Sequence, residues 1–400
     1  MRRPPTESIG SVGAFAQQGS GLGHIHRERS AIPMIRENNR VAMSEGRIAP
    51  PDYPATPLFD SVFGHEALYI SARKCAKGVG YKYSTQFYNL NAIEKTVDLA
   101  HDLAVGKYKE GKTHIVNITY PKPRTALAIS FRDRVVQRSI NDVALYPQVT
   151  RSFIWANFAC QRGKGTDAAR DYFKRILHSA WLKWRTNKFK VIELDVKGYY
   201  DSMRHDVTDA IFAKHCDAWT AEIASQTLSR QYKSDVGYDP GSQMVQIAGI
   251  AYLNSLDHYI KETMRIKYYL HYMDDGRIII APDADDKAII EEIDGQLAKV
   301  GLHLHPKKTR TVTADNCGVF LGFKYRVTEI GRVLMFRDPE QVKAIRRKYR
   351  RMARKGRLAE IDTSYQCVRN FMGNGTSCTL LRRMDTFIKN LKKEVAHAET

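Results

Sequence analysis

The stretch Ile266-Lys267-Tyr268-Tyr269-Leu270-His271-Tyr272-Met273-Asp274-Asp275-Gly276-Arg277-Ile278-Ile279-Ile280 sets two β-prone runs on either side of an acidic pair joined to a glycine. That is the pattern of a hairpin. Adjacent carboxylates between apolar and aromatic strands repel each other unless a cation or a set of donors offsets them. A divalent metal site is the economical explanation. A solvated Asp-Gly hairpin tip is the plainer one, and the rest of the chain decides between them.

The chain carries 63 Lys and Arg against 43 Asp and Glu over 400 residues, a net charge of +20. That length allows two or three packed subdomains, and that charge calls for an anionic partner, nucleic acid first. No run reaches the ~18 apolar residues of a membrane span, and no basic amphipathic helix adjoins a lipidation signal. Met1-Arg2-Arg3-Pro4-Pro5 lacks an apolar leader, so the expected location is cytoplasmic, with no membrane partner. The cysteines are scattered without a Cys-x-x-Cys pair, which excludes a zinc ribbon or a disulfide framework.

Residues 1–56 are rich in Gly, Ser, Pro and Arg and read as a flexible or loosely docked extension. Its Arg27, Arg29, Arg36, Arg40 and Arg47 suit either RNA or solvent, and His24 and His26 belong to the tail rather than to a metal site. Ile93, Val97 and Ala100 follow at helical spacing. Residues 113–120 and 126–130 read as a hairpin displaying Lys122 and Arg124 at its tip. A helix from Phe131 would turn Val135, Val136, Ser139, Ile140 and Val143 inward. Phe158-Ala159-Cys160-Gln161-Arg162-Gly163-Lys164-Gly165-Thr166-Asp167 is a glycine-rich basic loop, with Thr166 or Asp167 capping a helix over 168–177. Arg162 and Lys164 beside glycines near a helix start suit a phosphate backbone or a triphosphate.

Val191-Ile192-Glu193-Leu194-Asp195 is a near-continuous apolar run that delivers Asp195 to the end of a buried strand. Tyr200, five residues on, is either an ordinary core aromatic or part of the site. Residues 239–246 form a turn and helix start, continuing over 247–264. At the C-terminal end, Asp338-Pro339-Glu340-Gln341 is a helix start, Val342, Ile345, Tyr349 and Met352 form an inward stripe, and Arg346, Arg347, Arg350, Arg351 and Arg354 surround it. So one-sided a charge either marks a solvated face or awaits an anionic partner, and nucleic acid is the favoured one. Helices over 364–372 and 377–396 would close a small bundle.

Asp195 and Asp274 can meet if their strands are neighbours, and together they can hold two divalent ions, the arrangement used for in-line phosphoryl transfer. Magnesium suits such a site, with manganese as the alternative. Lys122, Arg124 and Lys308 are then available to a nucleoside triphosphate. The combination closely resembles prokaryotic reverse transcriptases of the retron and group II intron type. Tyr272-Met273-Asp274-Asp275 matches the catalytic hairpin and Leu194-Asp195-Val196-Lys197-Gly198-Tyr199-Tyr200-Asp201 the first acidic motif. The tetrapeptide alone arises by chance in roughly one chain in a thousand, but both motifs in order do not. Arg132-Asp133-Arg134-Val135-Val136-Gln137, Cys160 to Thr166, Lys307-Lys308-Thr309 and Phe320-Leu321-Gly322 are similar to the early fingers motif, the loop after it, the lysine motif and the primer grip.

The resemblance covers about residues 85–390. It implies an α+β right-hand polymerase: fingers with part of the palm over 57–190, a palm with an antiparallel sheet over 191–330 and a small basic helical thumb over 331–400. By that likeness Asp195 and Asp274, supported by Asp275 and the Val196 carbonyl, ligate two ions. Tyr200 is the steric gate that excludes a 2′-hydroxyl, and Lys308 corresponds to the residue that protonates pyrophosphate. Gln246, in the motif before the long palm helix, sits with Val196 and Tyr200 at the nucleotide, although Pro240-Gly241 followed by Val245-Gln246 departs from the usual pattern. Arg162, Lys164, Phe320, Leu321, Gly322 and the basic helix would contact nucleic acid. The implied partners are an RNA template, a DNA product and dNTPs, with an accessory protein or a second copy of the chain left open. The nearest likeness is to enzymes of diversity-generating retroelements and of phage-defence systems. Untemplated or protein-primed synthesis by the same centre, and an RNA-binding scaffold with an inactive palm, are the alternatives.

Overall fold

Three antiparallel sheets interleaved with helices make this an α+β protein. A computed structural model describes residues 57–118, 124–239, 241–373, 375 and 378–398. The extension over 1–56, Lys122 and Pro240 lie outside the described residues.

β1 (His114–Ile118) and β2 (Arg124–Ala128) pair antiparallel, Ile118 opposite Arg124, as the hairpin pattern requires. The central sheet has the order β4-β5-β3-β6, with β3 spanning Lys190–Asp195, β4 Tyr268–Tyr272, β5 Asp275–Ile280 and β6 Arg310–Thr313. Val191, Ile192, Glu193 and Leu194 are all buried, since β3 lies inside the sheet between β5 and β6. The third sheet joins β7 (Val319–Phe320), β8 (Phe323–Val327) and β9 (Val333–Arg337) in sequence.

Residues 333–337, expected to open a purely helical module, form β9 instead. A four-residue apolar run does not distinguish helix from strand by its period, and pairing with β8 decides it. Helix begins at Pro339, where the Asp338 side chain accepts from the Glu340 amide. The three terminal helices, Pro339–Arg354, Leu358–Met372 and Cys378–Ala398, close on Val342, Tyr349, Ile361, Tyr365, Met384 and Leu391. Each such side chain contributes about 1.5–3 kcal/mol on burial, which lets the outer faces stay charged.

Two helical faces differ from expectation. The helix Ala92–Ala104 buries Thr96, Leu99 and Leu103, leaving Ile93 64% and Val97 48% exposed, because it turns the neighbouring side, about a quarter turn away, toward the helix His65–Ala76. The helix from Phe131 widens into a π segment over Ile140–Leu145, and the extra residue per turn swings Val143 outward. The stretch 247–264 is likewise divided, into Gln243–Tyr252, Asn254–His258 and a π segment Tyr259–Thr263. Gly165, not Thr166 or Asp167, caps the helix Thr166–Trp184.

All six cysteines are free thiols. Among the described residues no helix is long and apolar enough to cross a membrane.

Candidate active site

The β4-β5 hairpin turns at Met273 and Asp274, since Tyr272 already faces Asp275 across the ladder. Asp275 and Gly276 are strand residues, not the tip that an Asp-Gly reading would suggest. Gly276 lies opposite Leu194, where a Cβ would come within 3.1 Å of the Leu194 side chain, so any larger residue there would have to push that side chain aside. Met273 takes φ 57°, a left-handed conformation that costs a non-glycine residue about 1–3 kcal/mol.

β3 runs beside β5 in a register that sets Asp195 directly opposite Asp275. One strand end and one turn thus bring three carboxylates together. Burial raises the Asp274 carboxyl above the ordinary range, and the Asp195 charge adds to it. Asp275 is raised by burial too, against the pull of Arg277, with Asp274 and Asp195 pushing the same way. Lys308 places its ammonium 2.9 Å from Asp195 Oδ2 and 3.3 Å from Oδ1. The adjacent Thr309 hydroxyl lies 3.3 Å from both the amide and the carbonyl of Asp195. Lys308 and Thr309 therefore both engage the strand end at Asp195.

Among the described residues no three His, Cys, Asp or Glu side chains are gathered in metal-ligating geometry. Protein donors alone do not complete a cage here. Two carboxylates, with a third beside them, suit a hard divalent ion that keeps water and takes substrate phosphate oxygens. The ammonium drawn onto Asp195 is itself a cation at that carboxylate, so the residues present fit a divalent ion.

Tyr200 follows on the short helix Tyr199–Ser202. Its ring lies over Gly249, where a Cβ would approach the ring at 3.1 Å and the hydroxyl at 3.2 Å, and that hydroxyl is buried without a partner. Gln246, one turn earlier on the same helix, accepts from the Cys160 thiol at 3.8 Å. Gly249→Ala should push the Tyr200 ring and raise the KM for dNTPs several-fold with an overpacking cost of about 1–3 kcal/mol. Steady-state single-nucleotide kinetics and a thermal melt check it, and unchanged values of both would show that the slot has slack.

The expected nucleic-acid contacts fall in three states. Arg347, Arg350, Arg351 and Arg354 are exposed on the helix Pro339–Arg354, while Arg346 is half-buried, its Nε 3.3 Å from Met384 Sδ. Lys164 turns its ammonium inward onto the carbonyls of Trp155 and Asn157, both at 2.8 Å, and Arg162 lies over the Tyr146 ring. Phe320 is 1% exposed, so it supports the Leu321-Gly322 turn from below and presents no surface of its own. Leu321 and Gly322, at φ 46° and 84°, make a two-residue turn between Phe320 and Phe323. The Arg124 side chain lies outside the described residues.

Several supports were not foreseen. Arg170 donates to the Leu321 carbonyl at 3.3 Å and Arg337 to the Gly322 carbonyl at 2.7 Å, with the Phe371 ring against both guanidiniums. Burial, with the neighbouring Arg170 charge, lowers Arg337 to about 10. Arg277, almost fully buried, reaches the Val319 carbonyl at 3.0 Å and Asp275 at 3.7 Å, and so ties the hairpin to β7. A groove of about 580 Å³ lies between Lys82, Arg134, Arg138 and the β2 residues Ala126, Leu127 and Ala128, and its rim is basic. The only signal for these residues was an apolar or charged residue at an ordinary position.

No curated protein matches the chain. Residues 121–325, just over half of it, match the family model described as reverse transcriptase (RNA-dependent DNA polymerase) and contain Asp195, Asp274, Asp275, Lys308 and the Leu321-Gly322 turn. The chain belongs to the reverse transcriptase family: it is an RNA-directed DNA polymerase, a nucleotidyltransferase built on the right-hand polymerase fold.

Proposed function

We infer that Asp195 and Asp274, with Asp275 and the Val196 carbonyl beside them, hold two divalent ions and that the chain copies an RNA template into DNA at that centre. Residues 57–190 serve as fingers with part of the palm, 191–330 as palm and 331–400 as thumb. The observation carrying this reading is the register that sets Asp195 against Asp275, with Asp274 in the adjoining turn. When bound, such ions lower the pKa of a primer 3′-hydroxyl and offset charge on the leaving pyrophosphate.

The chain's own residues do the rest. Asp195 and Asp274 converge from a strand end and from the tight turn between two paired strands, so the sheet register holds the two carboxylates in place before substrate binds. The primer oxygen forms a bond to the α-phosphorus as the bond to pyrophosphate breaks, and Lys308, already at Asp195, is placed to give that leaving group a proton. Tyr200 lies on the floor of the nucleotide site, its ring backed by Gly249. Tyr200→Ala should relax the preference for dNTPs over rNTPs by on the order of 10–100-fold, about 1.4–2.7 kcal/mol. Competition between the two substrates in primer extension reads this, and an unchanged ratio would mean the ring only packs.

Primer extension with purified protein, magnesium, dNTPs and an RNA template tests the whole reading. Product that follows the template sequence supports it, product without template points to untemplated or protein-primed synthesis, and no incorporation returns the chain to a scaffold. We further assign it to a diversity-generating retroelement or an anti-phage system, on the likeness of its glycine-rich loop and its helix start at Gly241-Ser242-Gln243. A repeat pair flanking a variable gene, or a structured noncoding RNA among defence genes, would distinguish the two in the neighbouring DNA.

A further inference from the structure

β4 carries more than the catalytic turn at its end. Alternate residues Tyr269 and His271 point to the same face, and both meet Asp257 on the helix Asn254–His258, which is fully buried. The Tyr269 hydroxyl donates to Asp257 Oδ1 at 2.6 Å, and the Asn157 amide reaches Oδ2 at 3.4 Å. His271 Nδ1 lies 3.0 Å from the same Oδ2, while its Nε2 faces the Met273 carbonyl. A carbonyl oxygen only accepts, and a carboxylate already accepting from a hydroxyl and an amide accepts again. Both imidazole nitrogens therefore donate, one to each acceptor.

Met273 is the residue held at φ 57° in the hairpin turn. A left-handed methionine persists only where its surroundings over-determine it, and the His271 bond to its carbonyl is such a restraint. We propose that His271, oriented by Asp257, is a positioning residue for nucleotidyl transfer: by donating to the Met273 carbonyl it fixes the peptide that carries Asp274 toward Asp195. Burial alone would drive the imidazole toward its neutral form, but the Asp257 charge and the two acceptors outweigh it and the net shift is upward. The same Asp257 reaches further, because Asn157 also holds Gln161, whose side chain donates to the Asn157 carbonyl at 2.7 Å and to its side-chain oxygen at 3.1 Å. The basic loop is thus seated on the residues that seat the turn.

This rests on the reading of Asp274 as a metal ligand, and Asp274→Asn serves as the control. If that variant polymerises, the reading of Asp274 fails whatever His271 does. With Asp274→Asn inactive, single-nucleotide extension of a DNA primer on an RNA template is compared for His271→Gln, Asp257→Asn and the double variant. His271→Gln has one amide nitrogen where the imidazole has two, so either Asp257 Oδ2 or the Met273 carbonyl is left facing an amide oxygen, and kcat should fall about 10–100-fold, with the KM for dNTP and the Kd for primer-template within about 2-fold of wild type. In the double variant the amide introduced at 257 can donate to the one introduced at 271, which donates to Met273, and kcat should recover to within about 10-fold of wild type. His271→Gln with wild-type kcat would overturn the proposal. So would a loss shared equally by kcat, KM and RNA affinity. Should His271→Gln fail to fold, the double variant decides alone: folded with kcat near wild type supports positioning, and folded with kcat lost overturns it.

Discussion

Asp274→Asn should reduce nucleotide incorporation by on the order of 10³-fold or more, about 4 kcal/mol of transition-state stabilisation, while the protein binds RNA as well as before and folds no less stably. The loss follows from removing one of the two carboxylates that converge from turn and strand end. The retained stability follows from the cost of placing that carboxylate there. Burial and the Asp195 charge raise the Asp274 carboxyl in the folded state. A group whose folded value lies above its unfolded one favours the fold while protonated, and that contribution disappears as pH rises through the raised value. Above the raised value the ionised group is a burden that a neutral amide removes. Primer extension, a filter-binding Kd and a thermal melt without divalent ions measure the three quantities together. Surviving incorporation would reject the ligand assignment, and a clear fall in Tm would show that Asp274 holds the hairpin as well as the ions.

Reversing Arg347, Arg351 and Arg354 to Glu should weaken RNA binding by on the order of 100-fold at low salt and flatten the salt dependence, cutting the slope of log K against log [salt] by roughly 2–3. Each guanidinium that meets a phosphate releases a counterion, so the slope counts contacts directly. The three side chains are exposed on one helix, whose buried face is Val342, Tyr349 and Ala353, so the fold should survive their reversal. The same helix holds Lys343, Arg346, Lys348 and Arg350 with one acid, Glu340, in its first turn. Such a surface repels itself until an anion covers it. Titrations from about 50 to 200 mM salt compare wild type with the triple variant, and an unaltered slope would return the helix to a solvated face.

The acidic strand ends were legible because each rests on a local pattern. An apolar run ending in Asp195, and two β-prone runs meeting at Asp274 and Asp275, declare their strands within a dozen residues. The Asp338 cap and the inward stripe of Val342 and Tyr349 were legible for the same reason, one period read along one helix. Tertiary packing overrides the pattern elsewhere: Ile93 and Val97 share an apolar helical face, but the helix buries the side about a quarter turn away.

The amino-acid order alone determined which residues carry charge, which segments alternate and which acids stand at element ends, since those depend on near neighbours. The folded chain alone decided that Asp195 faces Asp275, that Tyr200 rests on Gly249, that Arg170 and Arg337 hold the Leu321-Gly322 turn, and that Asp257 reaches His271. Those partners lie from 14 to 151 residues apart. Strand register and side-chain contact across such distances come from the shared burial of whole elements, a free energy that no single segment contains.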